Sequence, residues 1–434
     1  MLLRFSVSNF GSIRDKQDLS MIASHAIKDD PSGLIETPEL RGEKLLSAAV
    51  IYGANASGKS TLVKALWHMQ MLVRDSHRNG DPGGGVSLNP FMLDPDYAEK
   101  PSTFSLDFIL SGARYAYSFT ATKVEFISES LLIWSNGRRT KLFERSDGQF
   151  KFGRALKGEN KAIEKLTRDN SLFLSAAAQN NHTQIQEIFA FITNIYTDIH
   201  ILADTHKINL ITTFIVNNGK SAFDAKTIKL LSLADTGICA SRITDFGDQP
   251  NRRSMIEKID SLFDEASPKK DLAALKAASY PSKNKIELAH KVGEAETIFL
   301  DLSMESSGTI EMLTASPFIF DALEQGIPLI LDEFGSRLHT RASELILELF
   351  NNKETNPKGA QLIVTTHDTN LLNAKRLRRD QVWFTEKDER GATHIYPLSD
   401  IETRKGDNLE KGYLQGRYGA IPFAGPLADF VKAS

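Results

Sequence analysis

Cysteine is almost absent. The single Cys239 in 434 residues excludes an internal disulfide and points to a reducing compartment. Its ordinary place is a small apolar core position. An excess of one charge is missing too. Lys and Arg number 52 against 55 Asp and Glu, a net charge of −3, so no broad basic field announces a nucleic-acid partner, although a local patch stays open. No apolar run approaches the ~20 residues that span a bilayer. Met1 to Phe10 alternates like a strand and lacks the basic-then-apolar order of a signal peptide. These absences predict a soluble, cytoplasmic protein with no membrane partner. Internal repeats and sustained heptads are also missing, and without heptads there is no long coiled coil. What remains is a chain with 41% hydrophobic residues, enough for a large core and two or three domains.

Against that background one stretch stands out. Gly53-Ala54-Asn55-Ala56-Ser57-Gly58-Lys59-Ser60 fits the phosphate-loop pattern G-x-x-x-x-G-K-[ST] without a mismatch. The apolar run Leu45 to Tyr52 before it reads as a buried strand, and Thr61 to Trp67 after it reads as a helix. Glycines let backbone N–H groups turn toward phosphates at the positive end of that helix. Lys59 is expected to reach the β- and γ-phosphates, and Ser60 to hold Mg²⁺. Gly53 to Thr61 is thus the expected nucleotide cradle. Further along, Ile327 to Leu331 is an apolar strand ending in Asp332-Glu333, a Walker B arrangement. Asp332 would hold Mg²⁺ through its bound water, and Glu333 would orient and deprotonate an attacking water. The same pair in isolation is also an ordinary helix cap. A third strand, Gln361 to Thr366, ends in His367, a side chain able to hydrogen-bond a γ-phosphate.

Periodicity divides the chain. Residues 1–154 read as an N-terminal lobe carrying the phosphate loop and an antiparallel β-region, in which Phe104, Leu106 and Phe108 alternate and Gly112 marks a turn before Tyr115, Tyr117 and Phe119. Residues 155–292 read as a mostly helical insertion, with examples at Ile185 to Ile192 and Ser254 to Phe263 and an exposed Lys/Ala/Ser/Pro-rich stretch from Ala266 to Asn284. Residues 293–434 read as a C-terminal lobe in which helices alternate with short strands. The expected fold class is α/β, a P-loop NTPase with a largely parallel sheet.

Phosphate loop, distant acidic strand and His-ended strand together resemble the ABC-type ATPase heads of SMC, DNA-repair and OLD-like proteins. The resemblance implies ATP and Mg²⁺ as cofactors and a homodimer that sandwiches two nucleotides, with a higher oligomer left open. It also implies a signature loop that closes on the partner's γ-phosphate. Glu305-Ser306-Ser307-Gly308-Thr309 looks like the E-S-x-G-T variant of that loop, and Ser306, Ser307 and Gly308 are its expected contacts; a plain helix cap is the other reading. Gly335 to His339 looks like the dimer-contacting loop. Asn89-Pro90-Phe91 stands where a glutamine-bearing metal loop is expected.

Asn9 to Ile13, Ala234 to Ile238, Arg378 to Phe384 and Gly412 to Pro422 narrow the likeness to RloA/AbiLi-type abortive-infection ATPases. That likeness implies a dimeric regulator or sensor in anti-phage defence, controlling a separately encoded effector, an RloB-like protein or a nuclease. After His367 no spaced acidic metal cluster follows, unlike the OLD nucleases, and Asp94-Pro95-Asp96 reads as a chance D-x-D in a polar loop. A DNA-engaged ATPase of the SMC or DNA-repair type is the alternative, and the missing heptads argue against it.

Overall fold

The computed structural model describes residues 1–28, 32–135, 137–197, 223–234, 236–245, 284–293, 296–373, 377–404 and 406–421. The helix expected at Ser254 to Phe263, most of the stretch Ala266 to Asn284, and Asp235 and Pro422 of the family-like motifs lie outside these residues. The chain forms two compact units. One comprises Met1–Asp198, Ala322–Ser336 and Ile346–Ser434, and the other Ile199–Asp321 and Arg337–Leu345.

In the first unit β1 (Leu2–Ser8) and β2 (Gln17–Ser20) pair antiparallel, and the short β3 (Leu34–Glu36) and β4 (Lys44–Leu46) form a hairpin. Next comes β5 (Ala48–Gly53), buried at every residue, as a strand covered on both faces must be. β6 (Ser102–Leu110), β7 (Ala113–Ala121), β8 (Phe126–Ser135), β9 (Arg138–Ser146) and β10 (Gln149–Phe152) form a meander that joins β1 and β2 in a seven-stranded antiparallel sheet. Alternation places Phe104, Leu106 and Phe108 in the core, opposite Phe119, Tyr117 and Tyr115. Ser111 and Gly112, at φ +49° and +73°, make the two-residue turn between β6 and β7.

β11 (Tyr196–Thr197) starts the edge of a second sheet. β12 (Ile238–Asp245), β13 (Asn284–Val292) and β14 (Glu296–Asp301) belong to the other unit. β15 (Pro328–Leu331), β16 (Gln361–Thr365), β17 (Val382–Lys387) and β18 (Thr393–Pro397) complete the second sheet in the order β11-β15-β16-β5-β17-β18. All its pairs are parallel except β17 with β18. Helix α1 (Lys59–Asp75) follows β5, and its Leu62, Leu66 and Met69 share one core with Phe5 of β1, Phe104 of β6 and Ile51 of β5. This is a P-loop NTPase α/β fold with an antiparallel β-region.

Residues 155–292 carry helices at Asn160–Leu166, Phe173–Gln179, Thr183–Thr193 and Ala225–Leu233. The stretch also holds β12 and β13, which helical periodicity does not anticipate. In the second unit β12, β13 and β14 form an antiparallel sheet, with Ile238, Ile286 and Leu288 buried and Arg242 paired to Glu287 at 2.6 Å. No helix among the described residues is long and apolar enough to cross a membrane.

Candidate functional site

The parallel sheet sets the site. Neighbouring strands β15, β16, β5 and β17 run the same way and stay in register, pairing Leu331 with Val364, Thr365 with Ile51, and Thr385 with Gly53. Their carboxyl ends therefore fall side by side, where open α/β sheets bind ligands. At those ends stand Gly53, Asp332, His367 and Lys387.

Gly53 to Ser60 forms the turn from β5 into α1. Gly58 occupies the cap of α1 at φ +110°, and a Cβ there would lie 2.1 Å from Thr393 Oγ1. A Cβ on Gly53 would lie 2.5 Å from the Thr385 carbonyl oxygen. Both glycines are thus required by close approach, and at Gly58 by the backbone as well. Hydroxyl groups brace the loop from outside. Ser57 Oγ lies 2.6 Å from Thr385 Oγ1, and Thr393 Oγ1 donates to the Ser57 carbonyl at 2.9 Å. Ser12 Oγ meets both Thr61 Oγ1 at 3.0 Å and Thr393 Oγ1 at 2.8 Å.

Lys59 is buried, and its Nζ donates to the carbonyls of Gly53 at 2.8 Å and Ala54 at 3.0 Å. Burial lowers its pKa, and the carboxylates of Asp332 and Glu333 oppose that shift. Behind the acidic pair, Thr365 does the holding. Its hydroxyl donates to Asp332 Oδ1 and accepts from the Glu333 N–H at 2.9 Å, while its carbonyl accepts from the Phe334 N–H at 2.8 Å. Glu333 adopts φ +52°, a left-handed conformation uncommon for a side chain of this size. Such local strain persists where surroundings over-determine it, and it gathers at functional sites. His367 stands two residues past the end of β16. Burial, then the Lys59 ammonium, hold its imidazole below the usual value, against a smaller pull from Glu333 and Asp332.

These groups meet. Asn55, Ala56, Ser57, Gly58, Lys59, Ser60 and Thr61 line an open pocket of about 450 Å³ together with Glu333 and His367. Gly53, Ala54 and Asp332 are not among the lining residues; the Gly53 and Ala54 carbonyls hold Lys59, and Asp332 accepts from the Thr365 hydroxyl next to Glu333. Ser12 and Lys387 also line the pocket, and the sequence reading gives neither a role in the site. Ser12 lies in the Asn9 to Ile13 motif, so that motif is the signal that could have found it. Lys387 ends β17, and only strand register brings it here. The donor set suits a magnesium–triphosphate pair: Lys59 and Lys387, a Ser hydroxyl at a helix start, and Glu333, with Asp332 near enough to act on the Lys59 charge. Among the described residues no cluster of three or more His, Cys, Asp or Glu could hold a metal alone, and Mg²⁺ shared with phosphates does not need one.

Ser306, Ser307 and Gly308 lie in the second unit. Ser306 Oγ accepts from the Thr309 N–H at 3.1 Å and so caps the helix Ser307–Gln325. Ser306 and Ser307 are exposed, and a Cβ on Gly308 would meet the Arg337 carbonyl at 2.6 Å. Asn89 to Phe91 packs on the first turn of the chain, the Asn89 carbonyl accepting from the Gly11 N–H at 2.7 Å and the Phe91 N–H donating to Asn9 Oδ1 at 2.9 Å. Asp94 accepts from the Asp96 N–H at 3.1 Å, capping the single turn Pro95–Ala98.

A family profile described as "AAA domain, putative AbiEii toxin, Type IV TA system" matches residues 48–373. No curated protein matches the sequence. The matched span begins at the first residue of β5 and includes the phosphate loop, the acidic pair and His367. The chain belongs to this AAA-domain family.

Proposed function

We propose that this protein is a Mg²⁺-dependent ATPase of the OLD-like, RloA/AbiLi type, acting in the cytoplasm as a dimeric regulator of an anti-phage system with a separately encoded effector. The observation that carries the catalytic part is the convergence of Lys59, Ser60, Glu333 and His367 on one pocket. The loop's N–H groups and Lys59 bind the phosphates and offset their charge. Ser60 and Asp332 would hold Mg²⁺, which supplies further charge neutralisation when bound. Glu333 takes a proton from water as the water oxygen bonds to the γ-phosphorus and the bond to the β,γ-bridging oxygen breaks, giving ADP and phosphate. His367, whose imidazole is held toward the neutral form, donates a hydrogen bond to the γ-phosphate without adding a further positive charge beside Lys59. Support for the regulatory part is the family description and the Glu305 to Thr309 motif.

Glu333→Gln tests the reading. The amide keeps the shape and loses the base, so hydrolysis should fall by about 10²–10⁴-fold while ATP still binds. Nucleotide held without turnover should favour the closed dimer, detectable as ATP-dependent mass gain in light scattering. Undiminished hydrolysis places the base elsewhere. The same assay with added DNA asks whether nucleic acid is a partner.

A further inference from the structure

We propose that the segment Leu409 to Ala420 is a positioning element for the phosphate pocket, tying the strand end that bears the phosphate loop to the turn that bears His367. The inference rests on the ATPase reading above. Sequence leaves Gly412 to Pro422 without a role, and none of its residues lines the pocket.

Contacts at two places carry the inference. Tyr413, buried on the helix Leu409–Leu414, stacks on Phe384 of β17 with centroids 5.5 Å apart and lies 5.8 Å from the ring of Tyr52. Tyr52 is the residue before Gly53, and Phe384 precedes Thr385, which abuts Gly53. On the other side Glu410 accepts from Thr369 Oγ1 at 3.1 Å, two residues past His367. Tyr52 closes the circuit, because its buried hydroxyl donates to the Asp368 carbonyl at 3.3 Å. One helix thus touches the chain just before the phosphate loop and just after His367.

The segment is itself firmly fastened. Tyr413 Oη donates to the Ala420 carbonyl at 3.1 Å, Tyr396 Oη to the Tyr418 carbonyl at 2.9 Å, and the Ala420 N–H to Glu386 Oε2 at 3.2 Å. The glycines follow from this closure. A Cβ on Gly412 would lie 2.4 Å from Tyr418 Oη, and one on Gly419, at φ +71°, would lie 2.7 Å from Tyr396 Oη. Lys59 and the loop keep their own hydrogen bonds without help from the segment. Loss of the brace should therefore move His367 more than it weakens phosphate binding, and a small misplacement of a catalytic group costs rate.

The test compares the full chain as wild type, Tyr413→Leu, Tyr413→Phe and Thr369→Val. ATP hydrolysis, ATP titration and amide exchange at Thr366 to Leu372 are measured on each. Tyr413→Leu should lower kcat about tenfold or more, with Kd for ATP held within about threefold, and speed exchange in that turn. Tyr413→Phe keeps the stack and should recover most of kcat. Thr369→Val should shift kcat and exchange the same way by less, and it carries the test if Tyr413→Leu does not fold. Unchanged kcat and exchange in Thr369→Val and Tyr413→Leu overturn the proposal. So does a fall in affinity and stability with kcat kept, which is a merely structural role. Should wild type hydrolyse no ATP, the ATPase reading is what fails; the brace is then judged by exchange alone, and an unaltered turn at Thr366 to Leu372 refutes it.

Discussion

His367 is where the electrostatics of the pocket can be read most directly. Burial and the Lys59 ammonium push its imidazole down, and Glu333 and Asp332 pull it partly back. NMR titration should give a midpoint below the usual value of about 6.5. Lys59→Met should raise that midpoint by removing a cation but leave it depressed, because burial is the larger cause. Glu333→Gln should lower it. A midpoint that ignores Lys59→Met would mean that the two groups do not share a pocket. The same shift has a sign for stability. The folded chain prefers the neutral ring, so the contribution is present above the unfolded value and lost as pH falls through the folded one. At this scale Lys59, Glu333 and His367 were legible because each stands at a fixed offset from a strand end or a glycine loop. Thr365, which grips Asp332 and the Glu333 N–H, was not. A Thr in an apolar strand looks like any other β-branched residue until the neighbouring strand is known.

Elements were legible where local pattern and tertiary context agree. β5, β15 and β16 are short apolar runs bounded by turn residues, and each became a buried parallel strand. β6 and β7 alternate cleanly around Gly112 and pair as expected. β12 and β13 were hidden. Ile286, Leu288 and Ala289 fit a helical face as well as a strand, and the choice is made by antiparallel pairing with β14, a contact that no local window contains. The helix Ser307–Gln325 raises a different question, since Ser306 caps it and also belongs to the signature-like motif. A cap and a nucleotide contact are separable. Ser306→Ala should cost about 0.5–2 kcal/mol in urea unfolding by removing the bond to Thr309 N–H. Ser307→Arg alters an exposed side chain in the first turn and should stay within about 0.5 kcal/mol. If Ser307→Arg is as destabilising as Ser306→Ala, its effect on hydrolysis says nothing about nucleotide contact.

The whole molecule poses the question that neither residue nor element can answer: whether one chain or two make a catalytic site. In the proposed sandwich, the phosphate loop of one copy is completed by Ser306 to Gly308 of the other. Lys59→Ala removes the cation from every phosphate loop, and Ser307→Arg puts a bulky cation in every signature-like loop, so neither variant alone forms an intact site. A mixed dimer differs. One of its two sites joins the unaltered phosphate loop of the Ser307→Arg chain to the unaltered Ser306 to Gly308 loop of the Lys59→Ala chain. The other site carries both lesions. Random pairing makes half of the dimers mixed when the chains are equimolar, and each has one of two sites intact. Hydrolysis should then recover to about a quarter of the wild-type rate if sites act independently, and to less if the two must fire together. Native mass spectrometry with differently tagged chains establishes that mixed dimers form. If they do form and the mixture stays as inactive as its components, Ser306 is a helix cap and nothing more. The fold would still be that of a P-loop ATPase, and the mechanism would belong to a single chain.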